Sequence, residues 1–552
     1  MATERRIGWL FATFLALLAL AATRTAYLAA VKGHSLRRAA VTQQLTQVTV
    51  PAARGLIVDR HGVDLAVSEP ADNVTATPYL VHDPVTVARR LAPLLNRSFD
   101  ALLAQLTRRR SGFAYLARSV PAATGDAVAR LHIGGITLLP VTRRDYPMGA
   151  LASQLVGAVG IDGTGLSGLE YSRNRLLLGT AGQRRVTSDA IGQPIAIRDS
   201  RVAQPGSSVT LTLDAVLQGQ AEQVLSQIGQ SYHPKGATAI VMDPRTNQIL
   251  AMASWPRVDA NNIGSAPPYA RENRAIGFNY EPGSTFKAFT VAGALQDGVV
   301  TPDTSFDLAP QIQVADRTIH DAEARGPVTL TTAQILAQSS NVGAITIGLR
   351  LGADRFNYWV RRFGFGRPTG VELPGEERGQ VLALDKYSGS SMGNLPIGQG
   401  ESVTPLQMAT AYAAIANGGI LRPPHIIGSV NGRPVPLPAG HRIISPQVAA
   451  ELRRMLQGVL APGGTASEVS IPGYQLAGKT GTANKVDPAT GTYSQSRYVA
   501  SFVGFAPARN PRLLVSVMAD EPQSAIYGGV VAAPAFGQIM SFALPYLRIG
   551  PN

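Results

Sequence analysis

The most informative stretch of this chain is Glu281-Pro-Gly-Ser-Thr-Phe-Lys287. Its proline and glycine interrupt any preceding helix, and the apolar residues that follow predict a helix ending near Asp297. Ser284 and Lys287 then lie on one side of the helix start, almost one turn apart. The helix N-terminus favours a developing alkoxide, and apolar surroundings lower the pKa of a lysine towards use as a base. The alternative is an ordinary N-cap serine.

Lysine is scarce in this chain. Lysine and arginine together number 50, and only six of these residues are lysines. Arginine stays protonated in proteins, whereas a buried lysine can lose its proton and act as a base. Two of the six, Lys287 and Lys479, lie in stretches where a mobile amine would be useful. The composition therefore indicates these two lysines as candidate functional residues.

Length and composition exclude several classes of protein. The 552 residues allow two or three domains, and 45% hydrophobic with 16% charged residues indicates a globular chain. The absence of cysteine excludes disulfides, thiolate metal sites and cysteine nucleophiles. The net charge of +14 is carried by scattered arginines without a nucleic-acid-binding motif. We therefore expect no nucleic-acid partner, no metal and no cofactor.

The N-terminus predicts a membrane anchor. An uncharged, mostly apolar run covers Ile7–Ala22, and apolar character resumes over Ala26–Val31. The run reaches the roughly 20 residues of a membrane span only if Arg24 extends its charge to the interface. A cleaved signal peptide is the alternative. We favour one uncleaved span at 7–31, with residues 1–6 in the cytoplasm and the remainder outside it.

Residues 32–205 predict a mixed α/β pedestal domain without a catalytic cluster. A short strand, a tight turn and a returning strand are predicted within 54–68. Helices are predicted over Val85–Leu95 and Ser98–Leu106, and again after Gly165 to about Leu178. We therefore predict that this region is a non-catalytic scaffold.

Residues 206–552 predict a second domain whose sheet is built from both of its ends. Asp214 is expected to cap a helix that reaches about Ile228, and residues 284–460 are mainly helical. The predicted strands are Ser208–Leu213, Ala239–Met242, Gln248–Ala253, Tyr474–Lys479, Tyr498–Gly504 and Leu513–Met518, before a last helix at about Ala533–Leu544. Strands at both ends imply a sheet closed by its termini, with a helical lobe inserted.

Ser339-Ser-Asn341 lies between two helical runs, Thr332–Gln338 and Gly343–Leu351. Taken alone, it is ordinary turn chemistry. As part of a site, it offers a hydroxyl for proton relay and an amide that can hold a substrate carbonyl.

Lys479-Thr-Gly-Thr482 is predicted to end a strand. Gly481 would let a substrate approach the backbone as an added strand. The hydroxyls of Thr480 and Thr482 could bind a carboxylate, with Lys479 supplying the matching charge. The alternative is a strand that simply runs into a loop.

The three stretches, read in order, are similar to the active-serine signature shared by penicillin-binding proteins and serine β-lactamases. The resemblance extends to class B penicillin-binding proteins over nearly the whole chain, and it is closest to the division type, with the elongation type as rival. The stretches that carry it are Arg54–Gly62, Gly165–Glu170, Gly398–Gln407, Ala416–Gly419, Tyr527–Gly529 and Ala532–Pro534.

The resemblance implies a membrane-anchored α+β protein. A dimerisation-type pedestal at 32–205 would precede a penicillin-binding/β-lactamase-like transpeptidase domain at 206–552, with an antiparallel sheet flanked by helices and an all-helical lobe. The implied function is a peptidoglycan D,D-transpeptidase that crosslinks stem peptides through a serine acyl-enzyme during septal wall synthesis and is inhibited by β-lactams. A β-lactamase or a non-catalytic β-lactam sensor is a less favoured alternative, and the long pedestal argues against the β-lactamase.

The resemblance also implies a role for each site residue. Ser284 attacks the D-Ala-D-Ala carbonyl, Lys287 takes its proton, Ser339 relays a proton to the leaving amine, and Asn341 positions the donor. The terminal carboxylate region is bound by Lys479, Thr480, Gly481 and Thr482, with Lys479 keeping its charge. The backbone N–H groups of Ser284 and Thr482 form the oxyanion hole.

The implied partners follow from what the chain lacks. No glycosyltransferase motif precedes residue 206, so glycan polymerisation would fall to a membrane glycosyltransferase. Other division proteins and the cytoplasmic membrane are the remaining expected partners.

Overall fold

The computed structural model describes residues 2–32, 45–108, 111–188, 194–487 and 489–551. The chain forms two compact units. The first unit comprises Met1–Ala53, Pro70–Arg143 and Gly179–Gly206, and the second comprises Arg54–Glu69, Arg144–Leu178 and Ser207–Asn552. The last change of unit lies beside the predicted boundary at 205/206. Two earlier segments, Arg54–Glu69 and Arg144–Leu178, also belong to the second unit. The second unit is therefore not one continuous stretch of sequence, as a single boundary at 205/206 implies.

The first unit begins with a helix at Ala2–Ala30. Its Arg5–Ala30 portion is long and apolar enough to cross a membrane, and none of it is buried against the rest of the protein. The last helix of the chain, Gly528–Tyr546, also passes this test of length and apolarity, but more than half of it is buried. The N-terminal helix is therefore the better fit to a membrane anchor.

The remainder of the first unit contains small sheets and short helices. The helix Pro84–Leu95 starts at the capping side chain of Asp83 and ends at Asn96, whose φ is +48°. The predicted helices at 85–95 and 98–106 are confirmed to within one residue. The other elements are the strands Leu45–Val50, Gly182–Ser188, Pro194–Arg201, Ala114–Pro121 and Ile136–Asp145, and the helices Phe99–Leu106 and Ala122–Ala129. The strand Asp64–Ala76 passes from the second unit into the first.

The second unit is built on a five-stranded antiparallel sheet. Its strands lie in the order Gln248–Trp255, Gly236–Asp243, Leu513–Asp520, Tyr493–Ala506 and Ala477–Val486. Two strands come from the start of the unit and three from its end, so the predicted closure of the sheet by its termini is confirmed. We call Ala477–Val486 the edge strand, because it pairs on one side only.

Two long helices accompany this sheet. Ala215–Tyr232 begins at Asp214, whose carboxylate accepts hydrogen bonds from the N–H groups of Val216 and Leu217. Such a cap contributes about 1 kcal/mol. The last helix, Gly528–Tyr546, contributes Phe536 to the core shared with the sheet, where its ring lies 4.7 Å from that of Phe502.

The inserted lobe is mainly helical. The helix Lys287–Gln296, which we call the serine helix, is buried from Lys287 to Leu295 and is surrounded by aromatic rings. The other helices are Thr332–Ala337, Asn341–Leu351, Ala353–Arg362, Pro405–Ala416 and Pro446–Gln457. Short strand pairs also occur, at Ser305–Leu308 with Val328–Thr331, Gln311–Val314 with Arg317–His320, and Ile420–Leu421 with His441–Arg442. These strands of two to four residues carry too little alternation to be predicted.

A mixed sheet in the second unit joins Arg433–Pro434, Ile427–Val430, Val209–Leu211 and Ile57–Val58. Nearby, Arg54 and Arg144 both bind the fully buried carboxylate of Glu170, at 2.5 and 2.6 Å. Arg54 also donates to Asn174 at 2.7 Å. The Arg54–Gly62 and Gly165–Glu170 stretches therefore resemble the family pattern for a structural reason, since their side chains pair with each other. The short helices Ser153–Val156, Gly168–Ser172 and Asn174–Leu177 complete this region.

Candidate active site

Ser284 lies in a tight helical turn, Gly283–Phe286, that leads directly into the serine helix. Gly283 has a φ of +55°, and a Cβ at this position would lie 2.9 Å from the carbonyl oxygen of Thr482. Its N–H donates to the carbonyl of Gly398 at 3.0 Å. Glycine is therefore needed here both for backbone conformation and for close packing of the turn on the edge strand. The side chain of Ser284 stays partly exposed.

Lys287 is fully buried beneath this turn. Its Nζ donates to the carbonyl oxygen of Ser339 at 2.5 Å and to Oδ1 of Asn341 at 2.7 Å, and it lies 3.2 Å from Oγ of Ser339. Burial lowers the pKa of Lys287 to about 7, although the charge of Asp321 acts in the opposite direction. The structure thus brings together Lys287, Ser339 and Asn341, which the sequence placed on separate elements.

The Ser284 hydroxyl has no hydrogen-bond partner within the described ranges of the chain. The amine of Lys287 is instead oriented towards the 339–341 loop. Hydrogen bonds between catalytic groups are often long or absent before substrate binds. Lys287 would have to exchange one of its present acceptors for the Ser284 hydroxyl in order to act on it.

The 339–341 loop connects the helices Thr332–Ala337 and Asn341–Leu351. Ser339 has a φ of +61°, which is unusual for a residue other than glycine. Ser340 caps the second helix, because its hydroxyl accepts the N–H of Gly343 at 3.0 Å. Nδ2 of Asn341 donates to the carbonyl of His320 at 3.0 Å, which leaves Oδ1 to face Lys287.

Asp321, which was not predicted from the sequence, holds this loop in place. Its Oδ1 accepts the N–H groups of Asn341 at 2.5 Å and Val342 at 3.0 Å. Its Oδ2 pairs with Nε of Arg325 at 2.6 Å. Burial alone would raise the pKa of Asp321, but these hydrogen bonds outweigh burial and lower the pKa. No local motif marks this aspartate, because it lies about 20 residues before the loop that it supports.

The Lys479–Thr482 stretch lies within the edge strand and does not end it, which corrects the sequence-based prediction. The strand continues to Val486 because Lys479 to Asn484 pair in register with the neighbouring strand Tyr493–Ala506. Thr482 lies opposite Ala500 in this register.

Lys479 is fully buried, and its Nζ lies 3.3 Å from both oxygens of Thr480. Burial and the charge of Lys287 lower the pKa of Lys479 well below its ordinary value. Both effects oppose the charged form of Lys479 in the free protein, and the predicted charge on this amine stays a prediction.

Gly481 also has a packing role that was not predicted, and its predicted role in substrate approach stays a prediction. A Cβ at this position would lie 2.4 Å from Oγ of Ser501 and 2.9 Å from the carbonyl oxygen of Pro282. The glycine therefore allows the edge strand to pack against the serine turn. The flanking hydroxyls also have protein partners, since Thr482 Oγ1 accepts the N–H of Gly528 at 3.0 Å. Thr480 Oγ1 lies 2.7 Å from Oγ1 of Thr465, a residue that was not predicted to belong to the site.

A metal is not required to explain these contacts. Within the ranges that the structure describes, no group of three or more histidine, aspartate or glutamate side chains could hold a metal ion. The reactive groups that the described residues supply here are the hydroxyl of Ser284 and the buried amines of Lys287 and Lys479.

Comparison with known proteins assigns two regions of the chain to known protein families. Residues 237–541 match the family model of the penicillin-binding protein transpeptidase domain, and residues 49–211 match the penicillin-binding protein dimerisation domain. Penicillin-binding protein PbpB of Mycobacterium tuberculosis is 35% identical over 97% of this chain and 84% of its own. The peptidoglycan D,D-transpeptidase FtsI of Escherichia coli is 34% identical over 99% of this chain and 93% of its own.

Solved structures give the same result. Penicillin-binding protein 3 of M. tuberculosis, complexed with aztreonam, superimposes with a TM-score of 0.72 and 32% identity, covering 91% of this chain and 98% of that one. A complex of the same protein with ampicillin superimposes equally well. With both domains matched and relatives aligned along almost its full length, the chain belongs to the class B penicillin-binding proteins, the serine D,D-transpeptidases of peptidoglycan synthesis.

Proposed function

We propose that this protein crosslinks peptidoglycan stem peptides during septal wall synthesis and that β-lactams acylate the same serine. The observation that carries the proposal is the burial of Lys287 beside the 339–341 loop, with a pKa lowered to about 7. A neutral amine at that position can accept a proton at physiological pH, which an arginine could not. The similarity to FtsI and PbpB supports the septal role over the elongation role.

The proposed acylation begins with a proton transfer. Lys287 takes the hydroxyl proton of Ser284, and the oxygen attacks the carbonyl of the penultimate D-alanine. Asn341 holds the donor peptide, and the Ser339 hydroxyl, 3.2 Å from Nζ of Lys287, passes the proton to the departing D-alanine amine. The products are the acyl-enzyme ester and free D-alanine.

The oxyanion hole is proposed at the junction of the serine turn and the edge strand. The backbone N–H groups of Ser284 and Thr482 would stabilise the tetrahedral intermediate, at about 3 kcal/mol per donor. The packing of Gly283 against the Thr482 carbonyl supports this assignment, because it keeps the two backbones close together.

Lys479 is proposed to bind the terminal carboxylate of the donor together with Thr480, Gly481 and Thr482. Burial and the charge of Lys287 lower the pKa of this amine in the free protein. An incoming carboxylate would raise its pKa again, since an opposite charge favours the ammonium. Carboxylate binding would therefore favour the charged form of Lys479.

The proposed topology follows from the N-terminal helix. Residues 1–6 would lie in the cytoplasm, 7–31 would span the cytoplasmic membrane once, and 32–205 would form the pedestal of the catalytic domain at 206–552. The high apolarity and exposure of Arg5–Ala30 support this arrangement. A membrane glycosyltransferase and other division proteins would be partners of this assembly.

The test is crosslinking of a lipid-linked glycan polymer by the purified full-length protein. We expect crosslinked muropeptides with the wild type, none with Ser284→Ala, and none after penicillin treatment. Rapid loss of a fluorescent penicillin adduct without crosslinking would indicate a β-lactamase, and a stable adduct without crosslinking would indicate a sensor. In cells, filaments on depletion support the septal role, whereas round cells would support the elongation role.

A further inference from the structure

Glu281 lies three residues before Ser284 and joins two sides of the site. Its Oε2 accepts the hydroxyl of Tyr493 at 3.1 Å, and its Oε1 accepts the N–H of Gly400 at 3.1 Å. Tyr493 begins the strand that pairs with the edge strand, whereas Gly400 belongs to a loop of the helical lobe. The carboxylate of Glu281 thus stands next to the nucleophile's turn, where the sheet side and the lobe side of the site meet.

The charged groups near this region differ in their availability. The charge of Arg317 acts on the phenol of Tyr493, the partner of Glu281. Asp321, the carboxylate that acts on Lys287, has its oxygens occupied by Arg325 and by the N–H and hydroxyl groups of the 339–341 loop. Glu281 has only two partners in the described part of the chain, and its side chain is partly exposed. It therefore retains acceptor capacity for a cationic ligand.

The second half of a transpeptidation needs such a site. An aliphatic acceptor amine is protonated near neutral pH, because its pKa is about 10. It must be held beside the acyl-enzyme and must lose a proton before it can attack. A carboxylate attracts the ammonium, and burial raises the pKa of Glu281, which makes it a better proton acceptor than an ordinary glutamate.

We propose that Glu281 binds the acceptor amine and removes its first proton, and that the Tyr493 hydroxyl occupies this carboxylate until the acceptor enters. The inference rests on the proposed function. The deprotonated nitrogen attacks the acyl carbonyl, a C–N bond forms, and the ester C–O bond to Ser284 breaks. The second nitrogen proton passes to the Ser284 oxygen through Lys287. One ammonium and one ester thus yield one amide, the free serine and the proton on Glu281.

The two halves of the reaction can be measured separately on the full-length protein in detergent. Fluorescent penicillin reports acylation of Ser284. A thioester of an N-acyl-D-alanine as donor, with D-alanine as acceptor amine, reports the ratio of amide to acid released from the acyl-enzyme. Glu281→Gln keeps the shape of the side chain but removes its charge. We expect penicillin acylation within about threefold of wild type and an amide-to-acid ratio lowered about tenfold or more.

Tyr493→Phe is the matched variant, because it frees the carboxylate without removing it. We expect the D-alanine concentration for half-maximal transfer to fall about two- to tenfold. An unchanged amide-to-acid ratio in Glu281→Gln would overturn the proposal. A parallel loss of acylation and transfer in Glu281→Gln, or a loss of transfer in Tyr493→Phe, would overturn it too, since both would indicate a structural role. Failure of the wild type to bind penicillin at Ser284 would overturn the proposed function, and this inference with it.

Discussion

The protonation of Lys287 should control the rate at which Ser284 is acylated. Only the neutral amine can take the serine proton, and burial lowers its pKa to about 7. The neutral fraction is then about one-tenth at pH 6, one-half at pH 7 and nine-tenths at pH 8. The second-order rate of acylation by penicillin should therefore rise about tenfold between pH 6 and pH 8, with a midpoint near 7.

A substitution at Asp321 changes this profile in a direction that the structure determines. The negative charge of Asp321 raises the pKa of Lys287, so Asp321→Asn removes that effect and should move the midpoint to lower pH. The rise between pH 6 and pH 8 then becomes smaller than tenfold. Asp297→Asn is the control, because this carboxylate lies at the far end of the serine helix and pairs with Arg355.

The assay is the time course of fluorescent penicillin labelling at constant ionic strength, from pH 5.5 to 9, with the full-length protein. Thermal melts at each pH exclude loss of folded protein as the cause of a slower rate. A flat profile between pH 6 and 8, or a midpoint above 9, would refute the assignment of Lys287 as the base. A midpoint that moves to higher pH in Asp321→Asn would refute the electrostatic reasoning.

Three further substitutions have defined outcomes. Lys287→Arg keeps the charge but cannot supply a neutral base, so labelling should slow roughly 100- to 10,000-fold; a normal rate would contradict the role. Gly481→Ala places a Cβ 2.4 Å from Oγ of Ser501 and should cost about 1–3 kcal/mol in a denaturant melt and slow labelling; adding Ser501→Ala should restore part of both. Arg54→Met leaves the buried Glu170 with one of its two arginines and should lower stability by about 3 kcal/mol, whereas an unchanged melt would show that the pair is dispensable.

The sequence predicted the parts of the fold that are locally encoded. Asp214 marks a helix start because its side chain can cap the first turn, and the terminal strands are long, apolar and bounded by turn residues. The order of the three motifs, together with their resemblance to a family, then supplied the candidate site residues. Short strands such as Gln311–Val314 were missed because four residues do not establish a period.

What the sequence could not supply were contacts between distant residues. Asp321 supports the 339–341 loop from a separate hairpin, and Glu281 meets Tyr493 across 212 residues of chain. The packing role of Gly481 was missed for the same reason, because the serine turn that packs on it lies far earlier in the chain. The protonation of Lys479 depends on complete burial, which its own stretch of sequence does not reveal.

The central claim is that Ser284 is the nucleophile of a transpeptidase. The most direct measurement is peptide mapping by mass spectrometry after the full-length protein has reacted with penicillin. The account predicts one penicilloyl adduct, on the peptide that contains Ser284, and its complete absence in Ser284→Ala. An adduct on the peptide that contains Ser339 and Ser340, or persistent labelling of Ser284→Ala, would contradict the account.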